Sequence, residues 1–208
     1  MNIPLQFLPL GKQGSDEEPL DWARNLWHVN FMGIRTIQFH VDFLVWERVL
    51  EQLNPQRIIE LGSGNGGFTL YLHMQAIQRG ALFTSFDHVV PFTVDLPLGK
   101  LLGTYARCIA GDLWDGPQRT SLVVSQLIEE SDRSDPRPVI LFCDNGNKPL
   151  EFRTFAPQLH PGDVIAVHDW DNEFSPLDIT DDLKEITEPY MWSEVEAMGS
   201  LTRFWRRK

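Results

Sequence analysis

The stretch Arg57-Ile58-Ile59-Glu60-Leu61-Gly62-Ser63-Gly64-Asn65-Gly66-Gly67-Phe68-Thr69-Leu70-Tyr71-Leu72 decides the fold. Ile58-Ile59 reads as a short buried strand. The glycine-rich turn Gly62 to Gly67 follows it, and Phe68 to Leu72 opens a helix. Four glycines in six residues lose much backbone entropy on ordering, so a bare turn is a poor reason for them. Glycines let the backbone turn sharply and approach a ligand without Cβ interference. The helix start adds unpaired N–H groups and a partial positive charge. Strand, turn and helix together read as a cofactor site.

Working outward, strands alternate with helices. Phe39 to Leu53 is helical, with Trp46, Val49, Leu50 and Leu53 at helical spacing, and Asn54-Pro55 stops it. Further strands are expected at Ala81 to Phe86, Ala106 to Ile109, Val139 to Cys143 and Val164 to Val167. They end near Asp87, Asp112, Asp144 and His168-Asp169. Thr120 to Glu130, Leu150 to Leu159 and Pro176 to Ile186 read as helices. This alternation argues a parallel sheet covered on both faces, with ligands at the C-terminal ends of the strands. Ser193 to Ala197 and Leu201 to Trp205, either side of Met198-Gly199-Ser200, read as a terminal hairpin. Residues 1–19 read as an irregular arm and Leu20 to His28 as a short helix carrying Trp22 and Trp27.

At 208 residues, one domain spanning 1–208 is expected, with 1–30 as an arm or lid and 31–208 as the α/β core. The net charge of −11, from 18 basic against 29 acidic residues, disfavours nucleic-acid and anionic-membrane partners. The basic end Arg203, Arg206, Arg207 and Lys208 reads as a solvated tail or strand end. Two cysteines, Cys108 and Cys143, read as buried free thiols suited to the cytoplasm. No zinc pattern, signal peptide or membrane span is found.

The glycines fit two cofactors. Gly62, Gly64 and Gly67 satisfy the dinucleotide pattern G-x-G-x-x-G, with Asp87 near the usual distance for a ribose-binding acid. The run E-L-G-S-G-N-G-G, with Glu60 two residues before the first glycine, closely resembles motif I of the class I S-adenosylmethionine (SAM) methyltransferases. That resemblance implies a mostly parallel seven-stranded sheet with helices on both faces and a C-terminal antiparallel hairpin, the last strand inserting between its neighbours. It implies SAM bound by Glu60, Gly62, Ser63, Gly64 and Gly66, with Asp87 and His88 at the ribose and Asp112 and Leu113 near the adenine. Trp114 is placed to pack on that ring.

Asp144 and the pair His168-Asp169 end adjacent strands and should converge. They resemble the ligand set of the metal-dependent O-methyltransferases, which implies a Mg2+ or Mn2+ ion held by Asp144, His168 and Asp169. Such an ion takes oxygen ligands and lowers the pKa of a bound hydroxyl. The departure is His168, where that group carries an acid. Imidazole suits softer metals, and His168 can instead be a general base. Lys148 could orient a substrate hydroxyl or pair with Asp144. Gly33 to Gln38, then Asp42 and Pro55, resembles the cephalosporin hydroxylase and rhamnosyl O-methyltransferase-like group, whose members often assemble as oligomers. The expected activity is methyl transfer to a hydroxyl of a small molecule or sugar, with Asp144, His168 and Lys148 at the reacting end. Trp22, Trp27, Trp170 and Phe174 are candidates for the acceptor wall. A nicotinamide oxidoreductase and a non-catalytic SAM-binding module are the alternatives.

Overall fold

A computed structural model describes residues 29–89, 107–116 and 119–208. The N-terminal arm, Trp22 and Trp27 lie outside the described residues, as does Ala106 of the third expected strand.

A two-stranded hairpin, β1 (Val29–Phe31) and β2 (Ile34–Thr36), leads into helix α1 (His40–Leu53). Asp42 Oδ2 accepts the Phe39 backbone N–H at 3.0 Å and satisfies one of the orphan donors at the start of α1. Asn54 closes the helix in the left-handed conformation. The sheet then follows as β3 (Arg57–Leu61), β4 (Leu82–Asp87), β5 (Arg107–Ala110), β6 (Val139–Cys143) and β7 (Val164–Val167). Between them run α2 (Gly67–Arg79), α3 (Ser121–Glu129) and α4 (Lys148–Phe155). After β7 come α5 (Asp181–Ile186), β8 (Thr187–Tyr190), α6 (Trp192–Met198) and β9 (Arg203–Arg207).

The sheet order is β5-β4-β3-β6-β7-β9-β8. Strands β3 to β7 run parallel to one another, whereas β9 is antiparallel to both β7 and β8. The last strand is thus inserted between β7 and β8, the arrangement that the resemblance implied. The order reverses at β3, so β3, β4 and β6 open a crevice at their C-terminal ends.

Residue alternation sorts the core onto two faces. Ile58, Ile140, Phe142, Val164, Ala166 and Phe204 pack with Trp46, Leu50, Phe68 and Leu72 of α1 and α2. Ile59, Leu141, Val167 and Trp205 pack on the other face with Val124 and Leu127 of α3 and Phe152 and Phe155 of α4. Trp46 stacks edge-on against Phe142 at 4.8 Å and Phe204 at 5.2 Å, which ties α1 to the centre of the sheet.

The terminal hairpin differs from its sequence reading. Ser193 to Ala197 lies within α6, and the partner of β9 is Thr187–Tyr190. The antiparallel pair is therefore closed by a helix rather than a tight turn. Pro189 removes a ladder donor, which hides β8 in the sequence. It is tolerated because β8 lies at the sheet edge. The acidic segment from Pro176 divides into a 3-10 turn, Pro176–Asp178, and α5.

Candidate active site

The glycine loop is shaped by close approaches. Gly62 has φ +95°, and a Cβ there would run into the Asp144 carbonyl oxygen. The turns after β3 and β6 can touch only because position 62 has no side chain. A Cβ on Gly67 would meet the Arg35 and Ile34 carbonyl oxygens, so Gly67 lets the β1–β2 hairpin close over the start of α2.

The loop forms one side of a cavity of about 330 Å³ whose lining includes Gly62, Ser63, Gly64, Asp87, Asp144 and His168. That volume lies at the low end for small-molecule sites. Asp87, ending β4, accepts the Gly64 N–H on Oδ2 at 2.9 Å, and its Oδ1 lies 2.7 Å from Nδ1 of the exposed His88. Behind the loop, Ser85 Oγ donates to Glu60 Oε2 at 2.5 Å and sits 2.6 Å from Ser63 Oγ. Burial pushes the Glu60 carboxyl up to about 8, against hydrogen bonds from Ser85 and Thr69.

Across the cavity lie the groups that end β6 and β7. His168 Nδ1 stands 3.3 Å from Asp144 Oδ1 and 3.2 Å from Asp169 Oδ1. Carboxylates only accept, so Nδ1 carries a proton directed at them. On the ring's far side, Nε2 lies 3.6 Å from Asp42 Oδ2. That is beyond hydrogen-bond length and acts as a Coulomb contact. Burial disfavours a charged imidazole, but the three surrounding carboxylates outweigh it and hold His168 well above its ordinary pKa. Burial would likewise raise Asp42, yet His168, Ser200 and the Phe39 N–H keep its carboxyl below the usual range.

Lys148 opens α4 and is 4% exposed. Its Nζ lies 2.9 Å from Asp169 Oδ2, 2.6 Å from Glu173 Oε2 and 3.6 Å from Asp144 Oδ1. Glu173 reaches it because residues 169–174 turn tightly: Asp169 has φ +57°, and its carbonyl accepts the N–H groups of Asn172 and Glu173. Burial lowers the Lys148 pKa, but the carboxylates raise it more. Asp169 is correspondingly held well below its ordinary value: burial opposes ionisation, and His168 and Lys148 overcome it.

Asp144, His168 and Asp169 each offer a ligand atom within 4.8 Å of the others. The donor set nevertheless fits a hard divalent cation poorly. One of the three is an imidazole whose inward nitrogen is a donor. An ammonium stands within ion-pair distance of both carboxylates.

Not every expected site residue faces the cavity. Ser63, Gly62, Gly64, Gly66, Asp87, His88, Asp144, Lys148, His168 and Asp169 line it. Among the described residues, the lining does not include Glu60, Asp112 or Leu113. Glu60 is reached through Ser85 and Ser63. Asp112 Oδ1 accepts the N–H groups of Trp114 and Asp115, each at 2.8 Å, in an exposed aspartate turn. Leu113 is buried in the core, and Trp114 stacks on Phe155. Trp170 and Phe174 are core residues, clustered with Trp192 and Trp205. Sequence reasoning gave no site role to Gln38. Its Nε2 donates to Asp144 Oδ2 at 2.5 Å, and its Oε1 accepts from Thr36 Oγ1 at 2.7 Å. Asp42, noted only as part of a resemblance, proves to back His168. Polar residues directly after a hairpin and at the start of an otherwise apolar helix face were the available signal.

Three solved structures of CmcI resemble this chain at 18% identity. The apo form has a TM-score of 0.65 and covers 96% of this chain and 88% of that one. The form with magnesium and SAM has a TM-score of 0.64, covering 96% and 89%. The form with SAH, the demethylated product, has a TM-score of 0.62 and covers 96% of each chain. At that identity the likeness is one of fold, and the chain shares the Rossmann-like methyltransferase fold of those structures. No protein-family model and no curated protein matches the chain. Among the described residues, no helix is long and apolar enough to cross a membrane.

Proposed function

We propose that this chain is a SAM-dependent methyltransferase acting on a hydroxyl oxygen of a small-molecule or sugar acceptor. The observation that carries the proposal is that one cavity joins the Gly62–Gly67 loop and Asp87 to the Asp144, Lys148 and His168 cluster. A cofactor cradle and an acid–base cluster thus face each other at the sheet's switch point. The CmcI structures with SAM and with SAH support the same cofactor for this fold.

When bound, SAM supplies an electrophilic methyl group on a cationic sulfur. The residues fit such a ligand. Gly62, Gly64 and Gly66, all with positive φ, bring backbone close to it, and Asp87 offers a carboxylate to the ribose hydroxyls. The buried Glu60 adds a carboxyl behind the loop. At the other end, the cluster receives the acceptor. His168 keeps its Nδ1–H between Asp144 and Asp169, so Asp144 rather than His168 is the proton acceptor facing the cavity. Asp144 would take the proton of an acceptor hydroxyl held in line with the methyl group that SAM would supply, its sulfur leaving with the bonding pair. Lys148, which lines the same cavity, would stabilise negative charge developing on the oxygen. Holding oxygen and methyl in line supplies the remaining acceleration.

The test is transfer of labelled methyl from SAM to a panel of phenols, catechols and glycosides, with matched amines as controls. Label on a hydroxyl compound, lost in Asp144→Ala, supports the proposal. Label on amines alone overturns the assignment to oxygen. SAH binding without turnover on any acceptor class would favour a non-catalytic SAM-binding module.

A further inference from the structure

The CmcI form with magnesium and SAM raises the question of what cation this cluster carries. The following rests on the methyltransferase reading for its chemistry but is tested without it. We propose that Lys148 is the resident cation of the site. In this reading the Asp144–His168–Asp169 cluster takes no divalent ion, and the chemistry of the cavity is metal-independent.

A metal at this cluster would use the four carboxylate oxygens of Asp144 and Asp169. Asp144 Oδ2 is occupied by Gln38 Nε2 at 2.5 Å. Asp144 Oδ1 and Asp169 Oδ1 share the His168 Nδ1–H at 3.3 and 3.2 Å. Asp169 Oδ2 holds Lys148 Nζ at 2.9 Å. Each oxygen already faces a donor of this chain, and the one candidate nitrogen ligand points a proton, not a lone pair, into the cluster.

The placement of Lys148 is also unusual for a lysine. It is buried at the first position of a helix, where the macrodipole disfavours a cation. Burial and helix position both act against it, so the three carboxylates must hold it there. Glu173 is brought in by the turn at Asp169 and lies on the ammonium at 2.6 Å. A divalent ion between Asp144 and Asp169 would stand beside that ammonium and be repelled by it. Metal entry therefore requires Lys148 to leave a site built to keep it.

The test uses the full-length protein, free of added cofactor, titrated with Mn2+ at neutral pH. Bound ion is read from loss of the free-ion EPR signal. Wild-type protein is expected to bind no Mn2+ below about 1 mM. Lys148→Met, which keeps the side chain's length without its charge, is expected to gain a single Mn2+ site at least tenfold tighter than wild type. That gain should disappear in Lys148→Met combined with Asp144→Asn. Stoichiometric binding by the wild type below about 0.1 mM, abolished by Asp144→Asn, would overturn the proposal without needing any Lys148 variant to fold. A folded Lys148→Met that gains no site would overturn the role given to Lys148. Neither readout depends on SAM, so failure here is distinguishable from failure of the methyltransferase reading.

Discussion

Gln38 Nε2 donates to Asp144 Oδ2 at 2.5 Å, joining the segment after the β1–β2 hairpin to the end of β6. The bond fixes the Asp144 carboxylate, leaving Oδ1 to face His168 and Lys148. A hydrogen bond to a charged group contributes about 1.5–3 kcal/mol. Gln38→Ala is therefore expected to lower turnover by roughly tenfold or more while leaving SAH affinity nearly unchanged. Kinetics on the acceptor found by labelling, alongside calorimetry, would check the split. Equal losses in turnover and SAH affinity would instead place Gln38 in the cofactor half.

Asp87 is the only acid whose side chain directly joins the glycine loop to the cavity among the described contacts. Loss of its contacts to a ribose is expected to weaken SAH binding by about 2–3 kcal/mol. Asp87→Ala and Asp87→Asn would be compared by calorimetry, with thermal unfolding as the control for loss of the Gly64 contact. Unchanged affinity would remove Asp87 from the site.

Glu60 gives a pH prediction. Its carboxyl is raised from 4.5 to about 8 by burial. The folded protein therefore binds this proton more tightly than the unfolded chain. The stability contributed by the neutral form is complete below the unfolded value and is lost as the pH rises through about 8. Glu60→Gln keeps a neutral polar group and should remove that loss, on the order of a few kcal/mol. Wild type should thus fall in Tm between pH 5 and pH 8.5 more steeply than the variant. Parallel curves would show that Glu60 ionises freely in the folded state.

Asp42 carries the opposite sign. Its folded pKa is lowered, so its contribution is present above the ordinary aspartate value and is lost as the pH falls through the folded one. Asp42→Asn removes the charge behind His168 and weakens the contacts to Ser200 and Thr202. A loss of about 3 kcal/mol near pH 7 is expected, shrinking toward pH 3. Urea unfolding at both pH values would measure it. An undiminished loss at pH 3 would mean that the variant fails through packing rather than charge.

Much of this arrangement is legible in the sequence for a physical reason. Parallel strands buried on both faces read as short apolar runs, as Ile58-Ile59, Val139 to Cys143 and Val164 to Val167 do. Their ends are marked by the acids that the crevice collects. The misread segment, Ser193 to Ala197, is short and amphipathic, and periodicity over so few residues does not separate helix from strand. Asp112 is expected near the adenine from the resemblance alone. Its Oδ1 also accepts two backbone N–H groups of its own turn, a local contact that the motif does not reveal. Gln38 and Asp42 reach the site only because the hairpin and α1 fold over β6 and β7. Long-range placement of that kind leaves little trace in local pattern.

Whether the Gly62–Gly67 loop holds SAM rather than a dinucleotide is decided by parallel calorimetric titration of the protein with SAH and with NADH. One SAH site of micromolar-scale affinity, near −8 kcal/mol, weakened in Asp87→Ala, is expected, with no heat from NADH beyond dilution. Saturable NADH binding with none for SAH would contradict it, and Gly62, Gly64 and Gly67 would then be a dinucleotide loop.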